Sequence, residues 1–93
     1  MVVEAVCRMS GEILNLPAFS RICRRYGATL LVDEADAVGV LGRTGAGIEE
    51  YFDMPVDTID VKTGSLGKAI PSSGGYVAGS SELCSYIRHH PAI

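Results

Sequence analysis

Short apolar segments alternate along the chain with segments of helical or turn-like pattern. Apolar and β-branched residues cluster at four places, which predicts short strands at residues 1–7, 28–32, 58–61 and 76–78. The run at 28–32 is apolar at nearly every position, as is typical of a central parallel strand that is buried on both faces. The segment at 76–78 is likewise predicted to be buried.

Two of the intervening segments repeat apolar residues at helical spacing. The first predicted helix begins at Leu16-Pro17, where a proline is tolerated because its missing N–H would be unpaired anyway, and Gly27 suits its C-cap. Its expected buried side chains are Phe19, Ile22, Cys23 and Tyr26. A short helix is predicted at 48–52, after a glycine-rich loop. A last helix is capped by Ser80 or Ser81 and is expected to bury Leu83, Tyr86 and Ile87.

The predicted order is strand, helix, strand, short helix, strand, strand, helix. This order indicates an α/β fold with a mainly parallel sheet and flanking helices, in which ligands bind at the carboxyl ends of the strands. The 93 residues are enough for one domain at most. Because the pattern begins and ends within the architecture, we expect residues 1–93 to form a single partial domain, without a second domain.

Composition excludes several classes of function. The net charge is −3, and no basic stripe with interleaved aromatic residues indicates nucleic-acid binding. No apolar run approaches the ~20 residues of a membrane span, and charged residues interrupt the N-terminal apolar stretch, so no secretory signal is predicted. The three cysteines lack metal-ligand spacing, which favours reduced thiols, no metal site and a cytoplasmic location.

An acid and an amine are predicted at the ends of two strands. Asp33 follows the apolar run at 28–32, and Lys68 lies in a turn of small residues, where Ser65 and backbone N–H groups could approach a phosphate. A pyridoxal phosphate (PLP) site needs this pair, because the lysine forms an imine and the acid keeps the pyridine nitrogen protonated. The sequence therefore predicts a PLP site.

Residues 33–36 also spell the Asp-Glu-Ala-Asp sequence of nucleotide-dependent helicases, whose acids hold magnesium. Such an enzyme needs a phosphate-binding loop of the form G-x-x-x-x-G-K-[ST]. The nearest candidate, at residues 62–69, lacks the first glycine and the final hydroxyl residue, and it follows the acids along the chain. The helicase interpretation is therefore the weakest of those considered.

Taken together, the motifs resemble the α-oxoamine synthase family of fold-type I PLP-dependent enzymes, within the class II aminotransferase superfamily. The resemblance runs almost from end to end of the chain. It rests on Glu4, Met9-Ser-Gly11, Leu16-Pro17, Tyr26-Gly27, Val32-Asp-Glu-Ala35, Val38-Gly-Val-Leu-Gly42, Thr44-Gly45, Thr63-Gly-Ser-Leu-Gly-Lys68 and Gly74-Gly-Tyr-Val-Ala-Gly79.

The resemblance implies roles for individual residues and a reaction. Lys68 is similar to the imine-forming lysine, Asp33 to the acid that pairs with the pyridine nitrogen, and Ser65 to the hydroxyl residue that contacts the phosphate. The family joins an amino acid to an acyl-CoA with loss of carbon dioxide, and its enzymes place the active site between two subunits. A PLP-dependent C-acyltransferase that forms a homodimer is therefore the expected full-length protein.

Two positions depart from the family pattern. The family motif is Asp-Glu-Ala-His, whose histidine touches the phenolic oxygen of the cofactor, whereas this chain has Asp36 there. Arg8 replaces a serine that also lies near the cofactor. We interpret the changes as coupled, with Arg8 donating to the phenolic oxygen and holding Asp36 by an ion pair.

Length is a further departure, since family enzymes are several times longer and carry an upstream glycine-rich segment and a ring-stacking aromatic. We therefore expect this chain to be inactive alone. The alternative is a catalytically degenerate or regulatory subunit of the same fold, which Asp36 favours and the retained Lys68 and Asp33 oppose.

Overall fold

A four-stranded sheet organises the computed structural model, which describes residues 1–93. The strands are β1 (Val2–Glu4), β2 (Leu31–Asp33), β3 (Val61–Ser65) and β4 (Gly75–Ala78), in that spatial order. The pairings of β1 with β2 and of β2 with β3 are parallel, and that of β3 with β4 is antiparallel. The predicted α/β class with a mainly parallel sheet is confirmed.

Helix α1 (Leu16–Tyr26) connects the first two strands and begins and ends where the sequence predicts. Asn15 caps its start by accepting a hydrogen bond from the Ala18 N–H at 3.3 Å. Gly27 ends the helix with a φ of 63°, a left-handed conformation that glycine adopts at little cost.

The buried stripe of α1 differs from the predicted one. Its buried residues are Leu16, Ser20 and Cys23, whereas Ile22 is 46% and Tyr26 is 72% exposed. Leu16, Ser20 and Cys23 lie four and three residues apart and therefore share one helical face, from which Ile22 is rotated by about 100°. Only the Cys23 position of the predicted face is buried.

The core lies around β2 and contains the nine buried apolar residues, which come from every part of the chain up to β3. They are Ala5, Leu16, Cys23, Leu30, Val32, Ala37, Leu41, Ile48 and Ile59. Val32 is fully buried, as expected for a central strand whose two neighbours both pair in parallel. Helix α2 (Ile48–Tyr51) delivers Ile48 to this core.

The third strand lies further along the chain than the sequence predicts. The predicted segment, residues 58–61, overlaps β3 at Val61 alone. Thr58 and Ile59 are buried, but they belong to the turn before the strand, where the Thr58 hydroxyl donates to the Pro55 carbonyl at 2.7 Å. Apolar burial without strand pairing therefore explains the misplaced prediction.

The C-terminal elements are less buried than predicted. Strand β4 pairs on one side only, and its Val77 is 43% exposed. Helix α3 (Ser81–His89) is capped by Ser80, as predicted, yet none of its residues is buried and Tyr86 is 64% exposed. No helix of the structure combines the length and the apolar character needed to cross a membrane.

A buried polar contact links α2 to the turn before β3. Glu49 is 6% exposed and accepts a hydrogen bond from the Ile59 N–H at 2.8 Å through Oε2. Its other oxygen, Oε1, is paired with the Lys62 ammonium, which also donates to the Val56 carbonyl at 3.2 Å. The carboxylate is thereby fully occupied, as a buried charge must be.

We expect Lys62→Met to lower the free energy of unfolding by about 1–3 kcal/mol, because Glu49 then loses its charged partner in a buried position. Urea unfolding at pH 7 measures this. Adding Glu49→Gln should recover part of the loss, since glutamine still accepts from Ile59 without a charge. Lys68→Met, which removes an exposed pair, is the matched control, with an expected change below about 0.5 kcal/mol. A double variant that is no more stable than Lys62→Met would contradict this account.

Candidate functional site

The predicted acid and the predicted hydroxyl lie on one face of the sheet, at the carboxyl ends of neighbouring strands. Asp33 is the last residue of β2 and pairs with Thr63 in the parallel register. Because side chains alternate along a strand, Thr63 and Ser65 of β3 point to the same face as Asp33. This is the edge at which α/β sheets bind their ligands.

The Asp33 carboxylate is half-buried and held in one orientation. Its Oδ1 accepts a hydrogen bond from the Ala35 N–H at 2.9 Å, which forms a tight turn directly after β2. No group of the chain donates to Oδ2. One oxygen is therefore structural, and the other is available to a ligand.

Lys68 lies in the loop between β3 and β4, which we call the lysine loop (residues 66–74). The Leu66 N–H donates to the Gly74 carbonyl at 2.9 Å, and the Ser72 N–H donates to the Leu66 carbonyl at 2.8 Å. Ser65, which the sequence places in this turn, is instead the last residue of β3. Its Oγ accepts from the Gly67 N–H at 3.0 Å, so its hydroxyl proton remains free to bind a phosphate oxygen.

Asp36 is paired with Lys68. The Lys68 Nζ lies 2.7 Å from the Asp36 Oδ1, and both side chains are more than one-third exposed. The expected ion pair between Arg8 and Asp36 is therefore wrong for this structure. Arg8 is exposed in the turn after β1 and forms no ion pair with Asp36 or with another acid, whereas Asp36 Oδ1 is paired with the ammonium of Lys68.

The donor set fits PLP. One face of the sheet presents a carboxylate oxygen for a protonated ring nitrogen and a hydroxyl for a phosphate, while the following loop carries a partly exposed primary amine. In a PLP site these groups would be the pyridine-nitrogen partner, the phosphate ligand and the imine-forming amine. Asp36, at the position where the family pattern has a histidine, lies beside this amine.

Glu34 is a residue of the site region that the sequence analysis missed. It is 2% exposed, and its Oε1 accepts a hydrogen bond from the Ile48 N–H at 2.7 Å, at the start of α2. Its own N–H donates to the Thr63 carbonyl at 2.8 Å and continues the pairing of β2 with β3. Burial raises the pKa of Glu34 above its ordinary value of 4.5. Strand alternation could have found it, since the residue after Asp33 must face the core.

This position of Glu34 also argues against the helicase interpretation of residues 33–36. The second acid of that sequence is buried and occupied by the backbone of α2, and the fourth is paired with Lys68. The acids therefore do not form the open cluster that a hydrated magnesium ion requires.

Tyr76 covers the opposite face of the sheet. Its ring packs on Gly64, the residue opposite it in the β3–β4 pairing, so closely that a side chain at position 64 would overlap the ring. Burial raises the pKa of Tyr76 above its ordinary value of 10.0, and the nearby Glu34 carboxylate adds to this effect. Gly64 is therefore needed for close packing behind the site.

Comparisons with known proteins agree with this geometry. The sequence model of the family Aminotransferase class I and II matches residues 1–90. The 8-amino-7-oxononanoate synthase of Pseudomonas syringae pv. syringae is 46% identical over 83 residues, which cover 89% of this chain and 21% of that protein. Long chain base biosynthesis protein 2a of Arabidopsis thaliana is 43% identical over 96% of this chain and 18% of its own length.

The fold matches as well. A solved structure of SPT with PLP internal aldimine has a TM-score of 0.86 and 30% identity, over 96% of this chain and 22% of that one. The chain thus spans less than a quarter of the length of these relatives.

The buried Glu34 predicts a pH dependence of stability. Because its folded pKa is raised, the folded protein retains a proton that the unfolded chain releases as the pH rises above about 4.5. Stability contributed by this group therefore falls with rising pH, and Glu34→Gln should become more stable relative to the parent chain over that window. Urea unfolding as a function of pH measures the difference.

Glu50→Gln is the matched control, with the opposite sign. Hydrogen bonds from the Thr44 hydroxyl and N–H, each 2.7 Å long, lower the pKa of Glu50. Its contribution is therefore present above about pH 4.5 and lost as the pH falls. Parallel pH profiles for the two variants would contradict the assigned environments.

Proposed function

This chain belongs to the class I and II aminotransferase family, and we propose that residues 1–93 are the cofactor-binding central part of the large domain of a PLP-dependent α-oxoamine synthase. The observation that carries the proposal is the shared sheet face of Asp33 and Ser65, followed by Lys68 on the adjoining loop. The names of the relatives support the enzyme class.

Each residue of the site has a role in this proposal. Lys68 carries the amine that binds the cofactor covalently and afterwards moves a proton to and from the substrate Cα. The free Oδ2 of Asp33 holds a proton on the ring nitrogen, and the Ser65 hydroxyl binds the phosphate. When bound, PLP supplies an electron sink that stabilises a carbanion at the substrate.

The proposed reaction is the decarboxylative condensation of an amino acid with an acyl-CoA. A homodimer in the cytoplasm is part of the proposal for the full-length protein, and residues 1–93 form a partial domain of it. Arg8 is assigned as the donor to the cofactor's phenolic oxygen, and Asp36 stands beside that oxygen at the family position of the histidine. In the state described here Asp36 holds the Lys68 ammonium instead, so this assignment requires Lys68 to leave Asp36 when the cofactor binds.

One observation favours a second candidate function, a catalytically degenerate or regulatory subunit of the same fold. The acid at position 36 stands where the family pattern has a histidine, and its carboxylate forms an ion pair with the lysine on which the chemistry depends. The two candidates differ in whether Lys68 reacts with the cofactor.

We expect incubation with PLP followed by borohydride reduction to place a stable pyridoxyl group on Lys68 and not on Lys62. The Lys62 ammonium is engaged by Glu49 and the Val56 carbonyl, whereas Lys68 has a single exposed partner. Peptide mapping by mass spectrometry identifies the modified residue, and Lys68→Arg is the control for nonspecific labelling.

A second preparation tests whether residues 1–93 hold only part of the site. In this exchanged form, the residues of this chain replace the matching segment of the full-length Pseudomonas syringae synthase, and the labelling is repeated. Absence of a Lys68 adduct in both preparations would favour the degenerate subunit.

Substitutions at positions 36 and 8 test whether Asp36 and Arg8 lie beside the cofactor. Asp36→Asn and Asp36→His both remove the negative partner of Lys68, but only histidine restores the ring of the family pattern. We therefore expect Asp36→His to lower the Kd for PLP relative to Asp36→Asn by ~3–10-fold, the effect of one hydrogen bond. Absorbance titration measures both. Equal Kd values for Asp36→His and Asp36→Asn would show that position 36 does not contact the cofactor. Arg8→Ala is measured in the same way, and if it raises the Kd for PLP less than Asp36→Asn does, Arg8 does not belong to the site.

A further inference from the structure

The lysine loop has few contacts that hold it against the rest of the molecule. Its backbone hydrogen bonds close within residues 65–74, and its residues are exposed apart from the half-buried Leu66. One hydrogen bond leaves the loop, from the Lys68 ammonium to Asp36. An exposed ion pair of this kind contributes little to orientation. It must also break when Lys68 reacts with a cofactor, so another contact has to place the loop in that state.

Gly39 provides such a contact. A Cβ built on Gly39 would lie 2.5 Å from the Cβ of Ala69, the neighbour of Lys68, so the Ala69 methyl group packs directly on the Gly39 backbone. No other residue type leaves room for this approach. Gly39 also has a φ of +84°, in the left-handed region that favours glycine.

Backbone hydrogen bonds hold the segment that carries Gly39. It leaves β2 at Glu34, whose carbonyl accepts from the Ala37 and Val38 N–H groups at 3.0 and 3.1 Å. The Gly39 N–H donates to the Gly45 carbonyl at 2.8 Å, which closes the loop on itself. Since Ala37 is fully buried, these bonds connect the Gly39 backbone to the core, close to Asp33 in the chain.

We propose that Gly39 is a positioning residue for Lys68, which sets the height of the lysine amine above the sheet face of Asp33 and Ser65 through the Ala69 methyl group. The inference rests on the proposed function for its catalytic meaning. The contact itself does not depend on that function, because it joins two segments of the free protein. The Lys68–Asp36 ion pair has to break when the cofactor binds, whereas the contact between Ala69 and Gly39 does not involve the reacting amine.

The test compares three variants of the chain. Gly39→Ala introduces both the overlap with Ala69 and backbone strain, and Gly39→Ala/Ala69→Gly removes the overlap while keeping the strain. Gly27→Ala is the control for strain alone, because Gly27 also has a positive φ of +63° and a Cβ there would meet no heavy atom within 4 Å. Thermal unfolding of all three shows that each variant is folded and how much stability the strain removes.

Two measurements are made, one of the packing of Ala69 on Gly39 and one of the position of the Lys68 amine. An NOE between the Ala69 methyl and the Gly39 Hα protons reports the packing without any cofactor. The rate at which PLP and borohydride modify Lys68 reports the position of the amine. Gly39→Ala should slow that rate by ~10-fold or more, since misplacement of a reacting group by about 1 Å costs up to ~100-fold. The double variant should recover most of the rate, and Gly27→Ala should keep it.

The outcomes separate the two proposals. Absence of labelling in the parent chain and in its exchanged form contradicts the proposed function. The positioning role is then decided by NMR: the Ala69–Gly39 NOE in the parent chain, with shifted Lys68 resonances in Gly39→Ala, supports it, and absence of either overturns it. Labelling that is equally fast in Gly39→Ala and in the parent chain overturns the positioning role alone. Slowing without recovery in the double variant also overturns it, because strain and not the Ala69 contact is then responsible.

Discussion

The parallel register between β2 and β3 is the constraint on which the rest of the site depends. It aligns Asp33 with Thr63, and the Glu34 N–H extends the same ladder by one hydrogen bond to the Thr63 carbonyl. A slip of one residue would turn Asp33 into the core and Glu34 toward the ligand face. The burial of Glu34 and the position of Asp33 on the opposite face of the strand therefore follow from a single pairing.

Glu34 also shows how closely the ligand edge and the core are connected. Its backbone belongs to the sheet and to the turn that carries Gly39, while its side chain caps α2. Two adjacent acids thus lie in opposite environments, one at the carboxyl edge of the sheet and one in the protein interior. The difference comes from strand alternation and not from any difference in their chemistry.

Sequence patterns predicted the element order, the limits of α1 and the position of Asp33 at the end of a central strand. The apolar run before Asp33 and the small residues around Lys68 are local signals, so they could be interpreted without a structure. The exposure of Tyr26 and Tyr86, the late start of β3 and the buried Glu34–Ile48 contact depend on packing between distant segments. The partner of Asp36 could not be predicted either, because Lys68 and Arg8 are both cations and only the path of the lysine loop brings one of them within reach.

The antiparallel pairing of β3 with β4 has a consequence for the order in which the site assembles. The two strands and the lysine loop form a hairpin of contiguous residues, in which Ser65 faces Gly75 across a short closure. Asp33 reaches its place only when β2 and β3 meet, with α2 and the glycine-rich segment between them. Short closures form faster than long ones because they cost less chain entropy. We therefore expect Lys68 and Ser65 to come together early, as a local unit of folding, and Asp33 to join them in a later, non-local step.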